Sequence, residues 1–307
     1  SENFDADKDG ALTEDEAAAV MTIYCDGINF GEDGVITTTG TITSLSGVEY
    51  FKNLASLICG GNKLTELDLS NNRALVQLNC DSNKITELDL SNNTALEVIF
   101  CGANKMRQLN IGTNSALTEL YCTANELTTI NVSGCPSLKI FACGANPLTA
   151  LDVSANAALT ELHCYSNGLT SIDISGNTAL EKFNCSSNAL TSLDISSNTA
   201  LTELNCADNQ LAVLDLSNNA ALTTLQLSPQ HVEATMRTDN GKMLLDLGAL
   251  IGMDNIAKVR NVSSGVLDSE TGIITLNDNN NMAKIAYSFN TGAPAAADAS
   301  MRVYVQD

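Results

Sequence analysis

Residues 54–74 read LASLICGGNKLTELDLSNNRA, and residues 75–95 read LVQLNCDSNKITELDLSNNTA. The second stretch repeats the first at a step of 21 residues, and this step continues through most of the chain. Eight of the ten cysteines fall on one column of the repeat: Cys59, Cys80, Cys101, Cys122, Cys143, Cys164, Cys185 and Cys206. A fixed period of this length predicts a solenoid, in which each repeat forms one coil and packs on its neighbours.

Two further columns keep the same step. One is leucine, at Leu54, Leu75, Leu96, Leu117, Leu138, Leu159, Leu180, Leu201 and Leu222. The other is asparagine, at Asn62, Asn83, Asn104, Asn125, Asn146, Asn167, Asn188 and Asn209. Each coil should add one short strand to a parallel sheet, so that side chains at one place in every coil stack. We expect leucines to fill the core, cysteines to occupy a tight apolar place, and the carboxamides to bond turn backbone.

The ladder cysteines are expected to be buried free thiols. Side chains of a ladder point the same way, which suits neither the torsion of a disulfide nor the convergence of metal ligands. Cys135 lies off this column and occupies a second asparagine column, so it is interpreted as a tolerated core substitution. Cys25 also lies off the column, and the sequence assigns it no role. The second asparagine column includes Asn72, Asn93, Asn114 and Asn156.

The 21-residue unit with its cysteine column resembles the internalin J-type leucine-rich repeats of bacterial surface proteins, from about Ile42 to Ser228. Residues 42–54 are similar to an internalin entry coil. The resemblance implies a leucine-rich-repeat solenoid with a parallel β-sheet, either a horseshoe or a right-handed coil. It also implies an immunoglobulin-like domain after the repeats and a role in adhesion or interaction. It carries over no particular partner.

Residues 5–16 fit the calcium loop of an EF-hand, in which oxygen ligands alternate along the chain. Thr13 is expected to cap a helix over about Glu14–Ile23. A solvated acidic helix start is the alternative, and a structural Ca²⁺ site in an EF-hand-like cap is favoured over it. The predicted ligands are the carboxylates of Asp5, Asp7 and Asp9, the backbone carbonyl of Ala11, and the carboxylate of Glu16.

Short strand-like stretches separated by turn signals follow the last repeat, and they predict a small β-sandwich. The predicted strands are Val232–Arg237, Lys242–Leu247, Gly272–Leu276, Ala283–Phe289 and Met301–Val305. The chain is therefore predicted to have three domains. These are the cap over residues 1–41, the solenoid over 42–228 and an immunoglobulin-like β-sandwich over 229–307.

In each strand of the repeat, the residue between the two core positions faces outward. Apolar and aromatic outward residues concentrate in the coils of residues 98–165, although aromatic residues make up only 4% of the chain. Such a cluster on an open face indicates an interaction site, and ordinary cross-strand pairing is the alternative. The predicted ligand-binding residues are Val98, Phe100, Tyr121, Ile140, His163 and Tyr165.

The other half of each repeat carries Asp or Asn, followed two positions later by Ser in most coils. A cation-binding strip is one interpretation of this row. Bonding of these side chains to the local turn backbone is favoured instead. The acidic or amide residues are Asp68, Asp89, Asn110, Asn131, Asp152, Asp173, Asp194 and Asp215.

The formal net charge of −21 opposes binding to nucleic acid or to an anionic membrane surface. The sequence contains no apolar run of 18 residues, which argues against a transmembrane helix. His163 and His231 fall in different predicted domains, and common catalytic motifs do not occur, so the chain is not expected to be an enzyme.

These observations predict a secreted or surface-attached bacterial recognition protein. It would act in adhesion, as a monomer, binding a host or bacterial surface protein or a glycan on the concave repeat face. The alternative is a structural spacer or assembly module of a larger surface protein. We expect a secretion signal or an anchor to lie outside these 307 residues.

Overall fold

The repeats form coils that each place a three-residue strand in a parallel sheet. The computed structural model describes residues 8, 12–30, 36–227, 230–239, 242–251, 253–256, 259–260, 262, 265–276, 285–289 and 299–306. The chain divides into two units, residues 1–167 and residues 168–307.

The first unit begins with helix α1 (Glu14–Ala19) and contains a short 3-10 helix at Val48–Tyr50. In its main sheet, the strands lie in the order β1-β4-β5-β7-β9-β10-β11, while β2 pairs with β3 and β6 with β8. The strands are β1 (Thr22–Tyr24), β2 (Ile28–Phe30), β3 (Ile36–Thr38), β4 (Ser56–Ile58), β5 (Gln77–Asn79), β6 (Glu87–Asp89), β7 (Val98–Phe100), β8 (Gln108–Asn110), β9 (Glu119–Tyr121), β10 (Ile140–Ala142) and β11 (Glu161–His163).

The interior of the coils confirms the predicted core. All ten cysteines are free, and the eight ladder cysteines and Cys135 are fully buried. Burial raises the pKa of the Cys122 and Cys164 thiols to about 12. These thiols are therefore protonated at neutral pH and are poor nucleophiles, as expected for residues that fill space in a core.

Cys25 does not fit the 21-residue period. In the structure it nevertheless occupies the first position of the cysteine ladder. Strand β1 pairs in parallel with β4, so that Tyr24 lies opposite Ile58 and Cys25 follows in line with Cys59. The Cys25 carbonyl accepts a hydrogen bond from Asn62 Nδ2 at 2.8 Å, as the Cys59 carbonyl does from Asn83. Cys25 precedes Cys59 by 34 residues. The sheet therefore starts inside the segment that was predicted to be only a cap.

An insertion within this first coil explains the irregular spacing. The hairpin of β2 and β3 leaves the coil at Gly27 and returns at Gly40, and the Thr39 N–H donates to the Gly27 carbonyl at 2.8 Å. A Cβ atom on Gly27 would lie 2.4 Å from the Gly40 Cα atom. The two strands of the insertion can approach the next coil only because both positions are glycine.

Each residue of the first asparagine column ties two successive coils together. Asn83 Nδ2 donates to the carbonyls of Cys59 and Cys80 at 3.0 and 3.1 Å, and its Oδ1 accepts from the Leu64 N–H at 3.0 Å. The second column bonds less completely. Asn93 Nδ2 donates to the Leu69 and Asn72 carbonyls at 2.9 and 2.8 Å, whereas Asn93 Oδ1 is buried with no hydrogen-bond partner.

Helix α1 begins as predicted and ends earlier than predicted. The Thr13 side chain accepts from the Glu16 N–H, and the Glu16 carboxylate accepts from the Thr13 N–H at 2.9 Å, which completes a capping box. The helix ends at Ala19, so its predicted extension to Ile23 is wrong. Residues Thr22–Tyr24 instead pair with β4, because all three are β-branched or aromatic side chains suited to a strand.

The second unit contains the last coils, with strands β12 (Lys182–Asn184), β13 (Glu203–Asn205) and β14 (Thr224–Gln226). Gln230 follows Asn209 by 21 residues and takes the place of the asparagine column. Its Nε2 donates to the Cys206 carbonyl at 2.7 Å, and its Oε1 accepts from the Leu211 N–H at 3.0 Å. A longer carboxamide thus closes the column after Leu227 has replaced the ladder cysteine.

The tail forms a sheet with strand order β17-β20-β21-β15-β16-β19-β18. The first half of β15 pairs in parallel with β21, and its second half pairs antiparallel with β16. All five predicted strands are found, with shifted ends, and residues 283–284 lie outside the described part. The elements are β15 (His231–Asp239), β16 (Lys242–Asp246), α2 (Leu247–Ile251), α3 (Met253–Ile256), β17 (Val259–Arg260), β18 (Gly265–Asp268), β19 (Ile273–Leu276), β20 (Ile285–Phe289) and β21 (Ala299–Gln306).

Candidate ligand-binding face

The outward side chains of β4, β5, β7, β9, β10 and β11 form what we call the strand face of the first unit. Parallel pairing sets their register, with Phe100 opposite Tyr121 and Ile140 opposite both Glu119 and Glu161. The central residue of each strand is buried, which leaves the flanking residues half-buried on the outside in most of these strands. The strand face is therefore the place where side chains vary without disturbing the core.

Five of the six predicted ligand-binding residues lie on this face, Tyr165 follows the end of β11 by two residues, and all six are half-buried. The Phe100 and Tyr121 rings stack, with centroids 4.6 Å apart and planes 4° apart. The Tyr165 ring lies against the Gly144 backbone, where an added Cβ atom would come within 2.7 Å of the ring. The structure thus brings these residues together, and the stacking also supports cross-strand stabilisation, the alternative that the sequence left open.

Among the residues that the structure describes, the most exposed aromatic side chains lie outside the strand face. Tyr24 and Tyr50 are 73% and 65% exposed, and Met21 is 60% exposed. The 21-residue period gives no indication of Tyr24, because it misses the first coil, to which Tyr24 belongs. They lie near the start of the solenoid rather than on the varied strands.

Two carboxylates that the predicted set omitted belong to the same face. Tyr121 Oη donates to Glu119 Oε2 at 3.1 Å, and His163 Nε2 lies 3.5 Å from Glu161 Oε2. Burial, with the hydrogen bond to Glu119, raises the pKa of Tyr121 to about 12, so its hydroxyl stays protonated. The repeated Glu-Leu-aromatic order in β9 and β11 was the sequence signal for these pairs.

Asp81 lies at the edge of the strand face, two residues after Asn79. Its carboxylate accepts a hydrogen bond from the Gly102 N–H, which belongs to the next coil. Burial nevertheless raises its pKa to about 6. Asp81 therefore changes charge just below neutral pH, which the sequence alone did not indicate.

The Asp and Ser row bonds the backbone of its own turns, as favoured from the sequence. The Ser70 N–H donates to Asp68 Oδ1 and the Ser91 N–H to Asp89 Oδ1, both at 2.9 Å. These bonds hold the pKa of Asp68 and Asp89 below the usual range. The same bond recurs at Asp152, Asp173, Asp194 and Asp215.

The predicted calcium ligands are mostly outside the described residues. These are Asp5, Asp7, Asp9 and Ala11, and only Glu16 is placed, in the capping box of α1. Within the described residues, no group of three or more His, Cys, Asp or Glu side chains could hold a metal ion. No helix in that part of the chain is long and apolar enough to cross a membrane.

Comparison with known structures identifies an internalin-like leucine-rich-repeat fold. InlP from Listeria monocytogenes matches with a TM-score of 0.60 and 19% identity, over 96% of this chain and 90% of its own. An internalin, InlF, from the same organism matches with a TM-score of 0.54 and 21% identity, over 73% and 71%. The functional domain of InlJ, also from L. monocytogenes, includes a cysteine ladder and gives a TM-score of 0.47 at 23% identity, over 96% and 92%.

No family model matches the chain, and no curated protein matches it. The structural likeness therefore supports the fold and does not identify a ligand of the strand face.

Proposed function

We propose that this protein is a non-catalytic recognition protein that binds a surface protein or glycan on its strand face. The observation that carries the proposal is the varied row of outward side chains from Val98 to Tyr165. Elsewhere in the coils the same residue types return and bond their own backbone. Tyrosine is enriched among the residues that dominate binding energy, and the strand face carries adjacent aromatic and apolar side chains on neighbouring strands.

The experiment compares the intact protein with a Phe100→Ala, Tyr121→Ala variant on arrays of extracellular proteins and glycans. We expect at least one ligand to be retained by the intact protein and lost by the variant. The matched control is Glu87→Gln on β6, away from the strand face, which should bind like the intact protein. If every ligand binds the intact protein and the double variant equally, the strand face is structural. That result would favour the interpretation of the protein as a spacer.

We further propose that the cap binds Ca²⁺ in an EF-hand-like loop. The support is the ligand pattern of residues 5–16 together with Glu16, which the capping box places on the first turn of α1. Carboxylate and carbonyl oxygens are the donors that Ca²⁺ prefers, and the ion would tie the acidic loop to the solenoid. Addition of a chelator should lower the melting temperature of the intact protein, and an unchanged melting temperature would contradict the site.

We also propose that the tail is an immunoglobulin-like domain. The seven strands that the structure describes there follow one hydrogen-bonded order, in which β15 pairs with β21 through its first half and with β16 through its second half. Seven is also the number of strands in a constant-type immunoglobulin domain. Such a domain would protect the open end of the repeats from edge-to-edge association.

The proposed calcium loop, solenoid and immunoglobulin-like domain fit an extracellular or cell-surface protein that acts in adhesion. A calcium loop of low affinity suits millimolar extracellular Ca²⁺. Buried ladder thiols with a raised pKa would survive oxidising surroundings. Labelling of intact cells with an antibody to the strand face, with and without permeabilisation, would test the location.

A further inference from the structure

Tyr165 and Gly144 occupy the same place in successive coils, two residues after β11 and β10 end. The residues before them, Cys164 and Cys143, are fully buried, so a side chain at this place points out of the sheet. An added Cβ atom on Gly144 would lie 2.7 Å from Cε1, 2.7 Å from Cζ and 2.8 Å from Cδ1 of Tyr165. The Tyr165 ring therefore covers the backbone of Gly144, which is buried.

The three distances also show which part of the Tyr165 ring meets Gly144. Cδ1, Cε1 and Cζ are consecutive ring atoms, and an approach in the plane of the ring would bring the middle atom much nearer than the other two. The near-equal distances instead place the Cβ position of Gly144 over the face of the ring. The ring thus lies flat on the coil with its second face turned away from the sheet, and Tyr165 is only half-buried.

The glycine at residue 144 is required by the ring and not by the backbone. Two earlier coils hold Asp81 and Thr123 at the equivalent place, so the turn accepts a side chain there. Gly144 is not among the described glycines with a positive φ. A side chain on residue 144 would instead have to displace the Tyr165 ring. Gly144 is therefore a positioning residue that holds this ring flat.

The surroundings of the ring favour an uncharged ligand with hydroxyl groups. Ala142 and Thr123, which lie beside Gly144 along its strand and in the previous coil, carry no charge to pair with a cation on the ring face. Among the described residues, none bonds the Tyr165 hydroxyl, and the Thr123 hydroxyl makes only a long bond of 3.4 Å to the Ala142 carbonyl. The face of an aromatic ring is electron-rich and attracts the weakly positive C–H bonds of a sugar ring. The two hydroxyls can exchange hydrogen bonds with those of a sugar.

We propose that Tyr165 is a stacking platform for a neutral sugar ring of a glycan, at the edge of the strand face. The inference rests on the proposed function and narrows its ligand class from protein or glycan to a neutral glycan. The proline ring of a peptide would also stack on Tyr165, but it offers no hydroxyl to Tyr165 or Thr123.

The test mixes the full chain with methyl β-galactoside, methyl β-glucoside or methyl α-mannoside, and measures saturation transfer from the protein to the C–H protons of the sugar. We expect at least one glycoside to bind at millimolar concentration, through the C–H protons of one ring face. Tyr165→Ala should abolish the transfer. Tyr165→Phe keeps the ring and loses the hydroxyl, so it should weaken binding roughly two- to tenfold. Sorbitol, which has no rigid ring, should receive no transfer.

Gly144→Ala tests the positioning role, because its methyl group takes the place of the ring. Binding of the glycoside should weaken roughly tenfold, the effect of a lost stacking contact. The matched control is Gly102→Ala, at the same place two coils earlier, where an added Cβ atom would meet the Thr123 carbonyl oxygen at 2.9 Å rather than a ring. Gly102→Ala and Tyr50→Ala should both bind the glycoside like the intact protein. Unchanged binding by Gly144→Ala would overturn the positioning role.

The proposal is overturned if no glycoside binds, or if binding persists in Tyr165→Ala. It is also overturned if N-acetylprolinamide binds through Tyr165 and no glycoside does, a result that would indicate a peptide ligand. Array ligands that depend on Phe100 and Tyr121 would in each case leave the proposed function standing. Array ligands that ignore those two rings would count against the proposed function, while glycoside binding through Tyr165 would still support the platform.

Discussion

The first asparagine column and the outward row of the strand face belong to the same coils, yet they follow opposite rules. The column keeps a carboxamide from Asn62 to Asn209 and changes only to the longer carboxamide of Gln230. Its members bond the backbone of two coils at once. The outward row changes at every coil from Ile58 to His163, and it contacts neighbouring rings or carboxylates instead.

The difference indicates which residues hold the coils and which are available to a ligand. A position that repeats is one where the backbone leaves no other choice, because a buried N–H or carbonyl would lose its partner. A position that varies carries no such obligation. Substitutions in the asparagine column should therefore lower the free energy of unfolding. Substitutions on the strand face should instead weaken ligand binding.

The largest expected effect is that of Asn125→Ala in the column. The change removes bonds to the Cys101 and Cys122 carbonyls and leaves the buried Met106 N–H without its acceptor. We expect the free energy of unfolding to fall by about 3 kcal/mol, measured by urea denaturation. A cost no greater than that of a surface substitution would show that the column is dispensable.

Asp81→Asn should act in the opposite direction, because Asp81 belongs to a varied row. The pKa of Asp81 is raised to about 6 in the folded protein, so its protonated carboxyl group contributes stability at low pH that is lost as pH rises through about 6. At pH above 7 the variant should be more stable than the wild type by about 2 kcal/mol. The gap should close towards pH 4, and a gap independent of pH would contradict the raised pKa.

Asn93→Ala, in the second asparagine column, should cost less than Asn125→Ala. Its amide donates to two carbonyls, both of which keep another donor, the Asn72 and Leu75 N–H groups, and its oxygen has no partner to lose. We expect a loss of about 1 kcal/mol in the same denaturation assay. Asn93→Cys places in this column the residue that occurs naturally at Cys135. It should lower the free energy of unfolding less than Asn125→Cys does, and a larger loss for Asn93→Cys would refute the distinction between the columns.

The smallest effect concerns a backbone conformation that repeats while its side chain varies. Ala124 has a left-handed φ of 59°, as do its equivalents Ser82 at 56° and Ala103 at 50°. The coil before Ser82 uses glycine here, with Gly61 at 65°. Ala124→Gly should therefore raise the free energy of unfolding by about 0.5 kcal/mol, and a loss of stability would show that the turn is not strained.

The period of the sequence predicted the coils, the buried thiols and the turn-bonding Asp row, because each depends on one position returning every 21 residues. It did not predict that Cys25 is a rung, because the β2–β3 insertion breaks the period before Cys59. The end of α1 at Ala19 depended on pairing between β1 and β4, which local propensity does not report.

The central claim is that a ligand contacts the varied strand face and not the repeated rows. Hydroxyl-radical footprinting with the strongest array ligand tests it, since the chain carries half-buried tyrosines at that face and exposed tyrosines away from it. We predict that bound ligand reduces oxidation of Tyr121, His163 and Tyr165, and leaves Tyr24 and Tyr50 unchanged. Protection of Tyr24 and Tyr50 with no change at Tyr121 and His163 would contradict the account.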